Sequence, residues 1–245
     1  MIDLHCHILP SIDDGAKTFD DSLAMLEQAE KAGITDIVLT PHYMKGTVYN
    51  ADNVKKWGLY QELRKRANDA GININLYLGN EIYIDAKMGE MLAGYTNEQS
   101  ELMYEVSTLN STKYVLVEFP VRTEDKSVKT TLFSLVQKGF IPVIAHPERY
   151  FYVQDNQAWV DDLIHMGCKL QGNYMSLLGK YGKGAEKTLK KLLLEDKIFC
   201  LASDIHKPEN YKLDLAQKKL MKIVRDKNKI DELLVTNPAM IIRGK

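Results

Sequence analysis

Histidines and carboxylates recur in this sequence in short groups able to hold divalent cations. They are His5-Cys6-His7, Asp13-Asp14-Gly15, Pro41-His42, Asn80-Glu81, Glu118-Phe119-Pro120, His146-Pro147-Glu148-Arg149 and Ser203-Asp204-Ile205-His206. Imidazole nitrogens and carboxylate oxygens are ligands for zinc, manganese and iron, and no cysteine is needed. In an extended segment side chains alternate with period two, so His5 and His7 should face one way and Cys6 the packing layer. The same alternation is expected to pair Asp204 with His206. Nine ligands result: His5, His7, Asp14, His42, Glu81, Glu118, His146, Asp204 and His206. That exceeds the about four to six donors one ion takes, so bridging carboxylates would accommodate roughly two or three ions. Ions about 3.5–4 Å apart suit displacement at phosphorus, where one turns a bound water into hydroxide and others neutralise the phosphoryl and leaving oxygens. The expected chemistry is metal-dependent hydrolysis of a phosphoester. Arg149 has the fork to clamp a phosphate oxygen, or alternatively pairs with a carboxylate.

Other nucleophiles fit poorly. A cysteine phosphatase loop needs arginine six residues after its thiolate, to lower the thiol pKa and hold phosphate. The sixth residue after Cys6 is Ile12, after Cys168 Tyr174 and after Cys200 His206. No Gly-x-Ser-x-Gly elbow and no Walker loop is present, and Lys180 to Gly184 reads as a helix start.

Positioning these groups falls to seven short apolar runs: Ile2 to Leu4, Asp36 to Thr40, Ile74 to Leu78, Tyr114 to Val117, Ile141 to Ala145, Cys168 to Gln171 and Ile198 to Ala202. Each is apolar and often β-branched, as in strands buried on both faces of a parallel sheet. Helical patterns separate them. In Asp20 to Ala32, Met25, Leu26, Ala29 and Ala32 share a face, Thr18 with Asp21 resembles a capping box and Gly33 supplies a stop. In Ala185 to Glu195, Ala185, Leu189, Leu192 and Leu193 share another. Alternating strands and helices without a long linker mean an α/β fold with parallel strands. The 245 residues match one barrel-sized domain, residues 1–245, since such barrels run to about 250. Five of the six histidines follow strands, where barrel active sites gather, and only His165 sits inside a helical stretch.

Bulk properties narrow the setting. A net charge of −1 argues against a general nucleic-acid binder. No stretch approaches the roughly 20 apolar residues that span a bilayer, and no signal peptide is seen, so a cytoplasmic protein without membrane insertion is expected. Cys6, Cys168 and Cys200 suit reduced, buried thiols. Lys180 to Lys229 holds 14 Lys and Arg against 7 Asp and Glu, so it carries +7 and the remainder −8. The stretch reads as solvated outer helices or as a docking surface for an acidic partner.

Taken in order, Asp3-Leu4-His5-Cys6-His7, Asp13-Asp14-Gly15, Thr40-Pro41-His42-Tyr43, Asn80-Glu81-Ile82-Tyr83, Val117-Glu118-Phe119-Pro120, Ala145-His146-Pro147-Glu148-Arg149-Tyr150 and Ala202-Ser203-Asp204-Ile205-His206 resemble the PHP (polymerase and histidinol phosphatase) superfamily. Within it the chain is most similar to the bacterial tyrosine-protein phosphatase branch of Gram-positive capsular and exopolysaccharide operons, which Gln171 to Gly179 also resembles. The resemblance implies a distorted (β/α)7 TIM-like barrel and three metal ions, manganese before iron or zinc. His5, His7, Glu81 and Asp204 would hold one ion, Glu81, Glu118 and His146 a second, and Asp14, His42 and His206 a third. Metal-activated hydroxide would attack phosphorus without a phosphoenzyme, with Arg149, Asp204 and His206 as catalytic residues and Arg149 on the phosphate. The implied substrate is phosphotyrosine in the tail of an autophosphorylating bacterial tyrosine kinase. Some members carry arginines after the second-strand histidine and after the last one; here Tyr43-Met44-Lys45 and Lys207-Pro208-Glu209-Asn210 stand there, with Lys45 and Lys207 as replacement charges. A small-molecule phosphomonoesterase such as histidinol phosphatase is the alternative enzyme, and a structural module the non-enzymatic one.

Overall fold

Each of the seven apolar runs forms a strand in the computed structural model, which describes residues 1–50, 53–92, 106–124, 127–208 and 211–245. They are β1 (Ile2–Cys6), β2 (Asp36–Leu39), β4 (Asn75–Leu78), β6 (Tyr114–Glu118), β7 (Ile141–Ala145), β8 (Lys169–Asn173) and β9 (Cys200–Ala202). Two shorter strands, β3 (His42–Tyr43) and β5 (Glu81–Tyr83), follow β2 and β4 and were not expected from the sequence. The helices are α1 (Phe19–Lys31), α2 (Asn53–Asp69), α3 (Met88–Met91), α4 (Ser127–Gln137), α5 (Phe151–Asp155), α6 (Ala158–His165), α7 (Gly182–Leu194), α8 (Leu213–Val224), α9 (Lys227–Asp231) and α10 (Asn237–Arg243).

Every strand pairing is parallel, in two sheets of order β1-β2-β4 and β3-β5-β6-β7-β8-β9. The division falls at Pro41, which has no N–H to donate to a ladder. The chain still runs on across it: Gly79 N donates to Leu39 O at 2.9 Å and Glu81 N to Pro41 O at 3.2 Å. At the other margin β1 meets the end of β9 by one parallel bridge, Cys6 with Ile205. There Asp204 N donates to His5 O at 2.8 Å and His7 N to Ile205 O at 2.9 Å. A side chain completes this seam: the Asp3 carboxylate accepts from Ser203 N at 3.0 Å and from Tyr211 Oη at 3.0 Å.

The local signals act as expected. Thr18 caps α1, its Oγ1 accepting from Asp21 N at 3.1 Å while Asp21 Oδ2 accepts from Thr18 N at 3.0 Å. Gly33 follows with φ +82, a left-handed conformation that costs glycine little. Met25, Leu26 and Ala29 of α1 and Ala185, Leu189, Leu192 and Leu193 of α7 are buried. Each fully buried leucine contributes about 1.5–3 kcal/mol to stability. All three cysteines are free and buried. Among the described residues no helix is long and apolar enough to cross a membrane.

A small apolar cluster takes alternate residues of several strands, among them Val38, Tyr114, Leu116, Cys200 and Ala202. Period two carries the face of Tyr114 and Leu116 onward to Glu118 at the end of β6, which places that carboxylate above this cluster.

Candidate metal centre

The nine expected ligands lie together at the carboxyl ends of the strands. Three groups have donor atoms within 4.8 Å of one another: His5, His7, Glu81 and Asp204; His7, Asp14, His42 and His206; and His42, Glu81 and Glu118. His146 joins them, its Nε2 being 2.9 Å from Glu81 Oε1 and 3.7 Å from Glu118 Oε1. The sixth histidine, His165, ends α6 on the surface with Nδ1 2.7 Å from Asp161 O.

Glu81 is the hub. Its Oε2 lies 3.1 Å from His5 Nε2, 3.3 Å from His7 Nε2 and 2.9 Å from His42 Nδ1, yet it is buried and meets no hydrogen-bond geometry. His5 Nε2 and His7 Nε2 are themselves 3.3 Å apart. Lone pairs turned on one another out of water leave buried polar atoms unsatisfied, and a divalent cation among them removes that cost. The donor set therefore fits metal ions. Its grouping differs from the one the family resemblance implies in two respects: His42 stands beside Glu81 and Glu118 about as closely as His146 does, and His7 joins Asp14, His42 and His206.

Register explains most of this convergence. His42 pairs with Glu81 across β3 and β5, and Tyr83 with Glu118 across β5 and β6. Asp204 and His206 arrive differently from the alternation expected of a strand. Asp204 has φ +51, and His146 has φ +34, so both ligands sit in left-handed turns rather than extended chain. Non-glycine residues in that region carry strain and concentrate at functional sites.

A second layer aims the imidazoles. His5 Nδ1 is 2.8 Å from Gln171 Oε1, and the Gln171 amide is oriented by donating to Gly172 O at 2.8 Å. His7 Nδ1 is 2.7 Å from Asp13 Oδ2, which also accepts from His42 N at 3.0 Å. His206 Nδ1 is 3.0 Å from Asp204 O, leaving Nε2 toward Asp14. Such contacts fix tautomer and ring orientation, leaving the other nitrogen free to ligate. Gly15 holds the loop close: a Cβ there would lie 2.0 Å from His7 O. Asp13 and Gln171 fall inside the quoted motifs, but residue type alone does not single out such supporting groups.

The fields are strong. Burial opposes charge on His5, but Glu81 and Asp204 outweigh it and lift its pKa to about 9. Burial, then Glu81, raises Glu118 to about 8. Burial and Arg149 lower His146 to about 4. Asp204 and Glu81 are held well below the carboxylate range, against burial, by the surrounding imidazoles.

A family model described as "Capsular polysaccharide synthesis, CpsB/CapC" matches residues 1–243. The chain belongs to the CpsB/CapC family. It is 36% identical over 206 residues to tyrosine-protein phosphatase YwqE of Bacillus subtilis, covering 84% of this chain and 77% of that one. It is 31% identical over 252 residues to tyrosine-protein phosphatase CpsB of Streptococcus pneumoniae, covering 99% and 98%. A crystal structure from work on YwqE and CpsB, described as unique metal-dependent tyrosine phosphatases, superposes with a TM-score of 0.88 at 31% identity, covering 100% of this chain and 95% of that one.

In this CpsB/CapC chain Arg149 reaches into the centre as well as pairing with a carboxylate. Its Nη1 donates to Asp204 Oδ2 at 2.7 Å. The same oxygen accepts from Asn173 Nδ2 at 2.9 Å and Tyr181 Oη at 3.2 Å. Behind them Glu148, buried and raised to about 7 by that burial, accepts from Asn173 N and Ser176 Oγ. Asn173, Glu148 and Tyr181 are supports that were not expected in advance. Lys45 and Lys207 are exposed, and Glu209 and Asn210 lie outside the described residues.

Proposed function

We propose that the chain is a metal-dependent tyrosine phosphatase, a phosphoric monoester hydrolase. Its substrate would be phosphotyrosine on an autophosphorylating bacterial tyrosine kinase that regulates capsular or exopolysaccharide synthesis. The observation that carries this reading is the set of overlapping donor groups in which His7, His42 and Glu81 each serve more than one. Shared ligands hold neighbouring ions close together, and ions about 3.5–4 Å apart can act on one phosphoryl group. The relatives' names and family membership support the same assignment.

Three ions account for the nine ligands. His5, His7, Glu81 and Asp204 would hold one, Glu81 and Glu118 with His146 or His42 a second, and Asp14, His42 and His206, with His7 alongside, a third. Manganese is the expected metal, with iron or zinc compatible with the same donors. Bound there, divalent cations acidify water and offset phosphoryl charge. Arg149 orients a phosphoryl oxygen with its guanidinium fork. Asp204 anchors that arginine through Oδ2 while turning Oδ1 toward His5 and His7, and His206 presents Nε2 beside Asp14. The seven strand–helix units are read as a distorted barrel closed at the Cys6–Ile205 seam, one domain over residues 1–245, working in the cytoplasm without nucleic acid or membrane insertion.

A phosphotyrosine peptide should be hydrolysed, chelation should abolish the reaction and manganese should restore it. Replacing His5 and His7 by alanine should lower turnover by more than about 100-fold, since loss of supporting contacts alone costs 10–100-fold. Turnover that survives chelation, or a clear preference for histidinol phosphate, would overturn the reading.

A further inference from the structure

Tyr181 carries two cations. The Arg149 guanidinium carbon lies 4.4 Å from its ring centroid and Lys180 Nζ lies 5.0 Å from the same centroid. No other ring among the described residues has two such neighbours. The phenol is fixed in place, with Oη 3.2 Å from Asp204 Oδ2 and 3.3 Å from Asn173 Nδ2.

The charges around this ring do not balance. Arg149 is paired with Asp204, whereas Lys180 has no ion pair among the described residues and its side chain is exposed. Asp204 also faces His5 and His7 through its other oxygen, so this carboxylate is shared between Arg149 and the donor cluster. The Lys180 ammonium sits within the field of both Asp204 and Arg149. Two like charges beside one aromatic ring are favourable when an anion lies between them. A phosphomonoester dianion is such an anion, and the phosphoryl group is assigned to this rim. Lysine supplies a compact head with three donors on a flexible stem, able to follow an oxygen that Arg149 does not reach.

We propose that Lys180 is a second phosphate-binding cation, set with Arg149 against the ring of Tyr181, and that Tyr181 is the positioning residue for both. The inference rests on the phosphatase reading and names the anion subsite within it.

The test compares Lys180→Met with Lys183→Met, an exposed neighbour in α7, and with Arg149→Met as reference. KM and kcat are measured with para-nitrophenyl phosphate and with a phosphotyrosine peptide, and binding of inorganic phosphate is followed by calorimetry. Lys180→Met should raise both KM values and weaken phosphate about three- to tenfold, the range of one charge-assisted contact. Its kcat should stay within about twofold, the pattern of uniform binding. Lys183→Met should change none of these. Tyr181→Leu should weaken phosphate as Lys180→Met does, and Tyr181→Phe, which keeps the ring, should recover most of that affinity. A KM that rises for the peptide alone overturns the proposal, because Lys180 would then read the peptide and not its phosphate. Unchanged phosphate binding in Lys180→Met overturns it too. If Arg149→Met weakens phosphate in that case, only the role of Lys180 fails. If Arg149→Met is also silent, the phosphate placement beneath it fails as well.

Discussion

At the level of single residues, the centre depends on groups that touch no ion. Asp13 and Gln171 each hold one imidazole nitrogen so that the other turns inward. Asp13→Asn or Gln171→Leu should lower metal affinity by about 10–100-fold with the strands intact, as measured by metal titration beside circular dichroism. Protonation sets a second expectation. In the metal-free protein His5 is held at about 9 and Glu118 at about 8, so both carry protons near neutral pH. Ligation requires the deprotonated forms, so loading metal must release protons. Apparent metal affinity should therefore climb with pH from neutrality to about 9, while His146, lowered to about 4, contributes nothing to that slope. Calorimetry in buffers of different ionisation enthalpy checks the proton count. The convergence of the nine histidines and carboxylates was legible from their types and their places after strands. Asn173, Tyr181 and Glu148 were not, because amides, phenols and a carboxylate that serves a backbone N–H look the same in sequence wherever they fold.

Among the elements, the Asp13-Asp14-Gly15 loop separates stability from function. A methyl group on Gly15 would meet His7 O at 2.0 Å, so the loop must retreat and take Asp13 and Asp14 with it. Gly15→Ala should lower activity by at least about 10-fold, the scale of a lost supporting contact. Thr18→Ala, a few residues on, removes the cap of α1 and should cost about 1 kcal/mol with activity retained. Thermal melts and turnover on the two variants distinguish the cases. Helix α1 and the seven long strands could be read in advance because burial on both faces leaves continuous apolar runs and caps need particular side chains. β3 and β5 could not: each is two or three residues long and carries a ligand where an apolar residue would mark a strand. The turn at Asp204 escaped as well, since aspartate enters the left-handed region only now and then and its type does not mark where.

Across the whole molecule, the excess of lysine between Lys180 and Lys229 is partly spent internally. Lys197 binds Asp161 and Glu195, Lys219 binds Glu186, and Lys229 binds Asp196 and Glu232. Composition showed the imbalance but not these partners. The seam between β1 and β9 matters more to integrity. Asp3 is buried and serves Ser203 N and Tyr211 Oη, so Asp3→Ala strands buried donors. It should destabilise the protein by about 1–3 kcal/mol, read from urea denaturation. The Asp3–Ser203 contact joins positions 200 apart in sequence. A polypeptide emerging from the ribosome therefore makes His5 and His7 first and must wait until the segment after Ser203, 200 positions beyond Asp3, has been made before Asp204 and His206 can meet them. Until then the early histidines have no enclosed site to enter, so the donor cluster can close only once the Asp204 to His206 segment has folded back onto them.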